Sequence, residues 1–384
     1  MHILIAPDSY KGSLTSLEAS RIIARGLESA GIEDVQLAPI ADGGEGTVDS
    51  LCVASRGTIY NTTVKGPAGE PVNARWGVSG DGQTAFIELA EASGIMLMEP
   101  SARKPLTAST FGTGELIRAA IRFGVKRIIV GIGASAATDG GAGIMQALGA
   151  RLLDKKGRPL PPGGLALKDL DRIDAGPLKD LLNGIEIIAA WSVNNPLCGE
   201  NGTAFVYSPG KGATPEEVRL LDSALSHYAD IIERDLGADV HTIQGGGCGG
   251  GAGAGMQAFL GAQLVSGFQL IVSETGFEQH IIHADWVITG EGCTETSTLF
   301  GKVPMGIAQM AKAHGVPVIC LSGSLKTDWH KLYKHGITAC FSISDGPIPL
   351  EDAMGRAGTL LFSAAEAVGR ILHFQGSTSL FINP

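Results

Sequence analysis

Two short segments near the N-terminus combine residues that could bind phosphate or a metal ion. Residues 7–13 read "PDSYKGS" and residues 41–47 read "ADGGEGT", so acids stand beside glycines, with a serine and a lysine in the first segment. Similar combinations return in residues 290–302, 323–326 and 344–347. Carboxylates, hydroxyls, exposed amides and lysines suit phosphate and a hard divalent cation such as magnesium. Each segment alone could be a turn, but independent turns have no reason to share one composition.

Two longer glycine-rich segments lie in the middle of the chain, at residues 131–143 and 245–255. Each continues directly into an apolar stretch that is typical of a buried helix, which a flexible tether would not do. The unpaired amides and the positive dipole end at a helix N-terminus attract anions. The sequence therefore favours a phosphate-binding role for these segments over the alternative of a purely structural loop.

Other kinds of site find little support. A zinc site is not expected, because His280 and His283 have no third ligand nearby and no Cys-x-x-Cys pair occurs. The chain contains no Gly-x-Ser-x-Gly nucleophile motif, and Gly301-Lys302 lacks the other residues of a Walker A motif. The net charge of −10, with no cluster of Lys or Arg, argues against a nucleic-acid partner.

The N-terminus and the cysteines predict where the protein works. The first ten residues lack the basic and apolar regions of a signal peptide. No apolar run reaches the roughly 18 residues that a membrane span needs. The six cysteines are scattered, which is typical of reduced thiols rather than of a disulfide framework. We therefore expect a cytoplasmic protein without a membrane partner.

The elements around the polar segments predict a parallel sheet covered by helices. An apolar strand at residues 2–6 is followed by a helix that begins with a capping box, Thr15 and Glu18, and then by a strand at residues 35–40. Ligands bind beyond the carboxyl ends of parallel strands, so we expect the polar loops at one edge of this sheet. Further buried-strand patterns occur at residues 285–289, 316–322 and 338–343.

The length of 384 residues favours two domains. The intervening region has closely spaced strand patterns and then helical patterns, among them residues 114–123 and 215–232. We predict an α/β fold in two parts. A discontinuous domain of residues 1–65 plus 284–384 holds the parallel sheet, and residues 66–283 form an inserted mixed α/β domain.

Eight motifs, in chain order, resemble those of the class I glycerate kinases. The resemblance covers nearly the whole chain and implies ATP- and magnesium-dependent phosphorylation of D-glycerate, usually to 2-phosphoglycerate. It also implies that the domain built from both chain ends is flavodoxin-like and that the second domain is an insertion. The motifs are "APDSYKGSL", "ADGGEGTVDS", "FGTGELIRAA", "GIGASAATDGGAGIMQALGA", "NNPLCG", "KGATPEEV", "TGEG" and "GKVP".

Several positions depart from the patterns of that family. Ser192 stands where the family usually has aspartate, Cys293 where it has arginine, and Glu295 where it has aspartate. Arginine binds carboxylate or phosphate in a bidentate manner, which cysteine cannot do. Smaller departures occur at Gly210, at Phe300 and in residues 133–137.

Two hypotheses of function follow. The first is a kinase for glycerate or a closely related small hydroxy acid, with that acid and ATP as its partners. The second is a related protein of little or no turnover that binds nucleotide or metabolite. The intact N-terminal motifs favour the first hypothesis, and Ser192 and Cys293 favour the second. The oligomeric state is not predicted.

The resemblance and the residue chemistry together assign candidate roles, although the sequence does not divide the roles among the acids. The candidate catalytic residues are Asp8, Ser9, Lys11, Asp42, Glu45, Asp139 and Glu291. The candidate magnesium ligands are Asp8, Asp42, Glu45 and Glu291. The candidate ATP-binding residues are Lys211, Lys302, Gly245, Gly246, Gly247, Gly249 and Gly250. The candidate substrate-binding residues are Ser135, Asn195, Cys293 and Glu295.

Overall fold

The computed structural model describes residues 1–295, 298 and 302–378, and the chain divides into two compact units. Unit 1 comprises Met1–Ala41 and Ile271–Pro384, and unit 2 comprises Asp42–Leu270. These bounds differ from the predicted ones at residues 42–65 and 271–283. Residues 58–65 belong to unit 2 because they form a strand that pairs antiparallel with residues 71–78.

The strands of the described residues are numbered in chain order. They are β1 (Ile3–Ile5), β2 (Val35–Leu37), β3 (Thr58–Lys65), β4 (Pro71–Val78), β5 (Thr84–Glu88), β6 (Arg127–Gly131), β7 (Arg151–Leu153), β8 (Arg172–Asp174), β9 (Glu186–Trp191), β10 (Gln263–Ser266), β11 (Trp286–Thr294), β12 (Val318–Leu325) and β13 (Ile337–Ser342).

The α-helices are numbered in the same way. They are α1 (Ser16–Ser29), α2 (Thr47–Ser55), α3 (Leu89–Ser93), α4 (Phe111–Phe123), α5 (Ala142–Leu148), α6 (Gly176–Leu181), α7 (Thr203–Tyr207), α8 (Pro215–Leu236), α9 (Cys248–Leu260), α10 (Gly267–Thr275), α11 (Phe277–Ile282), α12 (Val303–Ala313), α13 (Leu350–Gly355) and α14 (Ala357–Thr378).

Unit 1 contains the predicted parallel sheet, with the strand order β13-β12-β11-β1-β2. The predicted capping box is confirmed: the Thr15 side chain accepts from the amide of Glu18, and the Glu18 carboxylate accepts from the amide of Thr15. Helices α1 and α14 pack closely, since a Cβ at Gly26 would lie 2.7 Å from the Cβ of Ala365. Their apolar side chains join those of β1, β11 and β12 in one core.

The strand order gives unit 1 a topological switch point. From β1 the chain moves through α1 to β2 on one side, and from β11 it moves through α12 to β12 on the other side. Crossovers of one hand that run in opposite directions lie on opposite faces of the sheet and leave a crevice at the carboxyl ends of β1 and β11. Residues 7–13 follow β1. Residues 290–294 form the last part of β11, and Glu295 follows that strand.

Unit 2 is the predicted mixed α/β unit. Its main sheet has the order β10-β9-β6-β5-β4-β3, in which β5, β6, β9 and β10 are parallel and β3 and β4 are antiparallel. The predicted helix at residues 215–232 is α8, whose capping box, Thr214 and Glu217, is also confirmed. Both the fold class and the mixed character of this unit agree with the sequence analysis.

One strand is longer than its prediction. Strand β11 is predicted to end at residue 289, but it pairs with β12 as far as Thr294, opposite Leu325. Residues Trp329–His335, between β12 and β13, form a 3-10 helix. Within the part of the chain that the structure describes, no helix has both the length and the apolar character required to cross a bilayer.

Candidate active site

The loop after β1 in unit 1 is fixed against the ends of β11 and β12. The amide of Asp8 donates to the carbonyl of Gly290 at 2.8 Å. The buried Tyr10 hydroxyl donates to the carbonyl of Leu321 at 2.6 Å. A Cβ at Gly290 would lie 2.2 Å from that same carbonyl oxygen, so only glycine permits this approach. The loop therefore has one defined path across the switch point.

Lys11 lies on this loop beside the carboxyl end of β11. A Cβ at Gly292 would lie 3.3 Å from the Lys11 amide nitrogen, so the Lys11 backbone runs next to the residue that follows Glu291. Lys11 is exposed, whereas Asp8 and Ser9 are half-buried. Asp8 turns back on the loop, because one of its carboxylate oxygens accepts from the amide of Ser9 at 2.7 Å. These three candidate residues thus share one short, well-fixed loop.

Glu291 is the buried carboxylate of this edge, at 4% exposure. Its Oε1 accepts from the hydroxyls of Thr298 at 2.7 Å and Thr294 at 3.0 Å. Its Oε2 lies 3.5 Å from Nζ of Lys302, at the start of α12. Burial raises the pKa of Glu291, while the Lys302 ammonium and the two hydroxyls act in the opposite direction.

Cys293 and Glu295 lie at the far end of β11. Because β11 continues through the Gly-Glu-Gly motif, Cys293 is a strand residue in register with Ser324 rather than a loop residue. Nζ of Lys326, just after β12, lies 3.4 Å from a carboxylate oxygen of Glu295. The Cys293 sulfur and the Glu295 carboxylate raise the pKa of Lys326. Phe300, another departure from the family pattern, lies outside the described residues.

In unit 2, the loop of Asp42 to Gly46 lies at the carboxyl ends of the parallel strands. The carbonyl of Gly43 accepts from the amide of Gly133 at 3.1 Å. A Cβ at Gly133 would lie 2.8 Å from the Cα of Gly44 and 3.2 Å from the Ser192 hydroxyl. Asp42 accepts from the amide of Gly44 at 3.1 Å, and Glu45, like Asp42, is half-buried.

Glu88 is a buried acid that the sequence analysis missed. It ends β5 at 4% exposure and accepts from the amide of Val48, in the first turn of α2, at 2.7 Å. Burial raises the pKa of Glu88 to about 8. Glu88 therefore holds the start of the helix that follows the loop of Asp42 to Gly46. A glutamate at the end of the apolar run "TAFIE" is the signal that could have revealed it.

The glycine-rich segment 245–255 is packed against other backbone of unit 2. A Cβ at Gly250 would lie 1.9 Å from the carbonyl oxygen of Ala137, and one at Gly247 would lie 2.1 Å from that of Pro196. Gly249, Gly250 and Gly251 all have a positive φ, although they lie within the bounds of α9. The amides of Gly246 and Gly247 donate to the carbonyls of Ile243 and Asn195. Close packing therefore explains most of these glycines.

Four of the five candidate ATP-binding glycines, Gly245, Gly246, Gly247 and Gly250, are buried. Gly249 is half-buried and is the member of this set whose backbone a ligand could approach from solvent. Although the bounds of α9 include Cys248, Gly249, Gly250 and Gly251 are not helical in φ and ψ, so the glycine-rich segment leads through a kink into the apolar helix that contains Met256.

Asp139 and Lys211 are buried, which does not suit the direct contacts that the sequence analysis assigned to them. Asp139, at 0% exposure, accepts from the amide and the hydroxyl of Thr110 and from the amide of Gly141. Burial raises the pKa of Asp139. Nζ of Lys211 donates to the carbonyl of Ala137 and to the Thr138 hydroxyl, and burial lowers its pKa to about 8. Both side chains fix the glycine-rich loop of residues 131–143.

Ser135, Asn195 and Ser192 border the same edge of the second sheet. The Ser135 hydroxyl accepts from the amide of Ala137 at 3.1 Å, within its own turn. Ala134, beside it, has a φ of 57°, which is unusual for a residue with a side chain. The buried Oδ1 of Asn195 has no hydrogen-bond partner among the described residues. The Ser192 hydroxyl lies 3.9 Å from the Cys248 sulfur.

The described residues contain no group of three or more His, Cys, Asp or Glu side chains arranged to hold a metal ion. Four further polar residues lie near the ends of β11 and β12 in unit 1, and the sequence analysis did not single them out. They are Thr294, Thr298, Ser322 and Lys326. Their contacts depend on how the chain folds around this pair of strands, which the sequence alone does not show.

The chain is similar to known proteins over almost its whole length. A sequence model of the glycerate kinase family matches residues 3–373. A glycerate kinase from Halalkalibacterium halodurans is 45% identical over 377 residues, which cover 98% of this chain and 99% of that one. The glycerate 2-kinase of Escherichia coli is 45% identical over 355 residues, 92% of this chain and 93% of that one. A crystal structure of a glycerate kinase 2 from Salmonella typhimurium LT2 gives a TM-score of 0.82 at 45% identity and covers 98% of this chain and 99% of that one.

Proposed function

Because this chain belongs to the glycerate kinase family, we propose that it transfers the terminal phosphoryl group of ATP to the 2-hydroxyl of D-glycerate. The chain is a kinase, glycerate is its substrate, and its family uses ATP. The choice of the 2-hydroxyl rests on the motifs and on the name of the Escherichia coli relative. The observation that carries the proposal is that an exposed lysine loop and a buried Glu–Lys pair meet at the switch point of unit 1.

Phosphoryl transfer needs positive charge on the phosphates and a correctly placed acceptor hydroxyl. We assign the exposed ammonium of Lys11 in unit 1 to the phosphates. Lys302 stays paired with Glu291 and limits the negative charge at this point. Glu291 is assigned to the acceptor hydroxyl of glycerate, since its Oε1 is already occupied by two hydroxyl donors and its Oε2 faces Lys302. This arrangement suits a hydrogen bond to a hydroxyl better than a metal ion.

Asp139 and Lys211 are assigned positioning roles. Their contacts hold the backbone around Ala137 and Gly141, on the loop that also carries Ser135. Ser135 and Asn195 are kept as candidates for glycerate because they lie at the carboxyl edge of the second sheet. In unit 1, Cys293 and Glu295 are also kept as candidates, and Lys326 beside them supplies a positive charge for a carboxylate.

Magnesium fits the remaining acids by their chemistry. Asp8, Asp42 and Glu45 offer carboxylate oxygens, which are the ligands magnesium prefers, and none of them is fully buried. A magnesium ion commonly uses one or two carboxylates together with phosphate oxygens, so a cage of three protein ligands is not required. When bound with ATP, the ion would neutralise phosphate charge. We also propose the cytoplasmic location, on the basis of the six free cysteines.

The decisive experiment measures ATP consumption by the purified protein with D-glycerate, L-glycerate and a panel of other small hydroxy acids. Phosphorus NMR of the product distinguishes 2-phosphoglycerate from 3-phosphoglycerate. We expect D-glycerate to be the best substrate, 2-phosphoglycerate to be the product, and turnover to stop when magnesium is removed with EDTA and to return when it is added back. Formation of 3-phosphoglycerate would overturn the proposed position of transfer.

The second hypothesis, a protein with little turnover that binds nucleotide or metabolite, is kept because Ser192 and Cys293 replace residues of the family pattern. The same assay separates the two hypotheses. Absence of ATP consumption with every acid, together with ATP binding in a calorimetric titration, would support the second hypothesis and exclude the first.

A further inference from the structure

A row of buried hydroxyls and a thiol leads away from Glu291 between β11 and β12. The Thr294 hydroxyl contacts Oε1 of Glu291 at 3.0 Å, and it is also in hydrogen-bond contact with the Ser322 hydroxyl. The Ser322 hydroxyl lies 3.4 Å from the Cys320 sulfur. Thr294, Ser322 and Cys320 are each at 0% exposure. We call these three residues the hydroxyl row.

Counting protons fixes the direction of the two bonds that the hydroxyls of Thr294 and Ser322 make. Each hydroxyl has one proton to donate. An ionised Glu291 carboxylate can only accept, so the Thr294 proton is used at Oε1. The contact between Thr294 and Ser322 then requires Ser322 to donate. Both hydroxyl protons therefore point toward the carboxylate, whereas the Cys320 thiol is also hydrogen-bonded to the Cys340 thiol.

This direction matters because hydrogen bonds in a chain polarise one another, and donors aimed at a charged acceptor form stronger bonds than neutral pairs do. Thr298 supplies a second donor to the same oxygen at 2.7 Å. Oε1 is thereby held by two hydroxyls, and Oε2 remains as the oxygen that faces Lys302.

We propose that Thr294 and Ser322 are positioning residues of the phosphoryl transfer, which lock the Glu291 carboxylate so that only Oε2 is available to the glycerate hydroxyl. This inference rests on the proposed function. Thr294 acts on Glu291 directly, and Ser322 acts by orienting the Thr294 hydroxyl.

The test compares single substitutions that remove one proton each. Thr294→Val keeps the shape and removes the hydroxyl, and we expect kcat to fall by about ten- to a hundredfold, as for a lost hydrogen bond to a charged group. Thr294→Ser should recover most of kcat. Ser322→Ala should lower kcat by a smaller factor, about three- to tenfold, because it acts through one further bond. The KM for ATP should stay within about twofold throughout, because the row touches Glu291 rather than the phosphate-binding loop.

Ser29→Ala is the matched control, since Ser29 is an exposed serine of α1 in the same unit, and its kcat should equal that of the wild type. Melting temperatures identify any variant that is merely unfolded. The proposal is overturned if folded Thr294→Val keeps the wild-type kcat, if Thr294→Ser does not recover it, or if Ser322→Ala behaves like Ser29→Ala.

A crystal structure of Thr294→Val separates this inference from the proposed function. If the wild type does not phosphorylate glycerate, the proposed function fails, while the geometry remains testable. We expect the Glu291 carboxylate to rotate or to take more than one orientation in the variant. An unchanged, fully ordered Glu291 would overturn the positioning role whatever the activity.

Discussion

At the scale of single residues, exposure separates the candidates that can touch a ligand from those that organise the site. Lys11 is exposed on a fixed loop, whereas the side chains of Asp139 and Lys211 form hydrogen bonds with buried backbone and hydroxyl groups. Removing a buried partner leaves unsatisfied polar groups and destabilises the protein. Removing an exposed lysine leaves the fold intact, so its effect on turnover reports on function.

Lys11→Ala should therefore reduce turnover by about a hundredfold or more, because uncompensated phosphate charge is left in the transition state. The melting temperature should change little. The measurement is kcat and KM for ATP beside a thermal unfolding curve. Lys334→Ala, which removes another exposed lysine of unit 1, is the control and should keep full activity. Wild-type turnover in Lys11→Ala would exclude Lys11 from phosphate binding.

Glu88 allows a prediction about pH. Its pKa is about 8 in the folded protein, raised by burial and by Glu91 and Asp49, and opposed by the amide of Val48 and by Arg75. In the unfolded chain a glutamate titrates near about 4.3. The folded state therefore holds the extra proton between these values, and the contribution of Glu88 to stability is present at low pH and is lost as pH rises toward about 8.

Glu88→Gln is neutral at every pH and keeps an oxygen that can accept from the amide of Val48. We expect the stability of this variant, relative to the wild type, to rise between about pH 5 and pH 8, with a gain of at least about 1 kcal/mol at the upper end. Urea unfolding across this range measures it. Glu70→Gln, at an exposed position of unit 2, should show no such trend. A parallel pH dependence of Glu88→Gln and wild type would contradict the assignment.

At the scale of elements, the glycine-rich segment changes its meaning. Its composition suggested unpaired backbone amides that could bind phosphate. In the structure, most of these glycines instead allow close contact with neighbouring backbone, and several of them have a positive φ. Substitution by valine at Gly247 or Gly250 is therefore not a clean test of nucleotide binding, since both positions are filled by neighbouring carbonyl oxygens. Gly249 is the position in this segment where the phosphate hypothesis still stands.

Gly250→Ala should destabilise the protein far more than Gly261→Ala. Both glycines have a positive φ, 74° and 62°, so both alanines carry a strain of about 1–2 kcal/mol. Only Gly250 has a carbonyl oxygen, that of Ala137, 1.9 Å from the added Cβ, while Gly261 has nothing within 4 Å. The difference between the two free energies of unfolding, measured by urea titration, isolates the close approach. Equal losses would mean that the packing is not tight at Gly250.

At the scale of the whole molecule, the departures from the family pattern are divided between the two units. Ser192 belongs to unit 2, and Cys293 and Glu295 belong to unit 1. Cys293 also has Lys326 beside it, so an arginine placed there alone would face a like charge. Substitutions at neighbouring positions are seldom additive. The effect of restoring arginine at position 293 should consequently depend on the residue at position 295.

We predict that Cys293→Arg combined with Ser192→Asp and Glu295→Asp raises kcat/KM for glycerate more than Cys293→Arg does. A regained charged hydrogen bond corresponds to about one to two powers of ten in affinity. Steady-state kinetics of wild type, single and triple variants measure the effect. A wild type with a low KM for glycerate that the triple change leaves unaltered would show that these positions do not contact the substrate.

The sequence by itself determined the architecture and the family. Apolar runs, capping boxes such as Thr15 with Glu18, and polar loops after strand ends are local signals, and the fold class inferred from them is confirmed. Membership of the glycerate kinase family, which the resemblance of eight motifs implied, is confirmed as well. Lys11, Asp8 and Glu291 could be singled out because they lie within contiguous motifs. A contiguous motif shows which residues follow a strand, and this information does not depend on how the rest of the chain packs.

Only the tertiary structure decided how far β11 extends, which glycines are packed, and which polar groups are buried. Glu291 meets Ser322 through Thr294 because β11 and β12 pair in register, a relation between residues some thirty positions apart that no local pattern encodes. Burial likewise gave Asp139 and Lys211 their organising positions and Glu88 its raised pKa. Exposure and pairing depend on the whole packed chain, so they become visible only once the strands are in place.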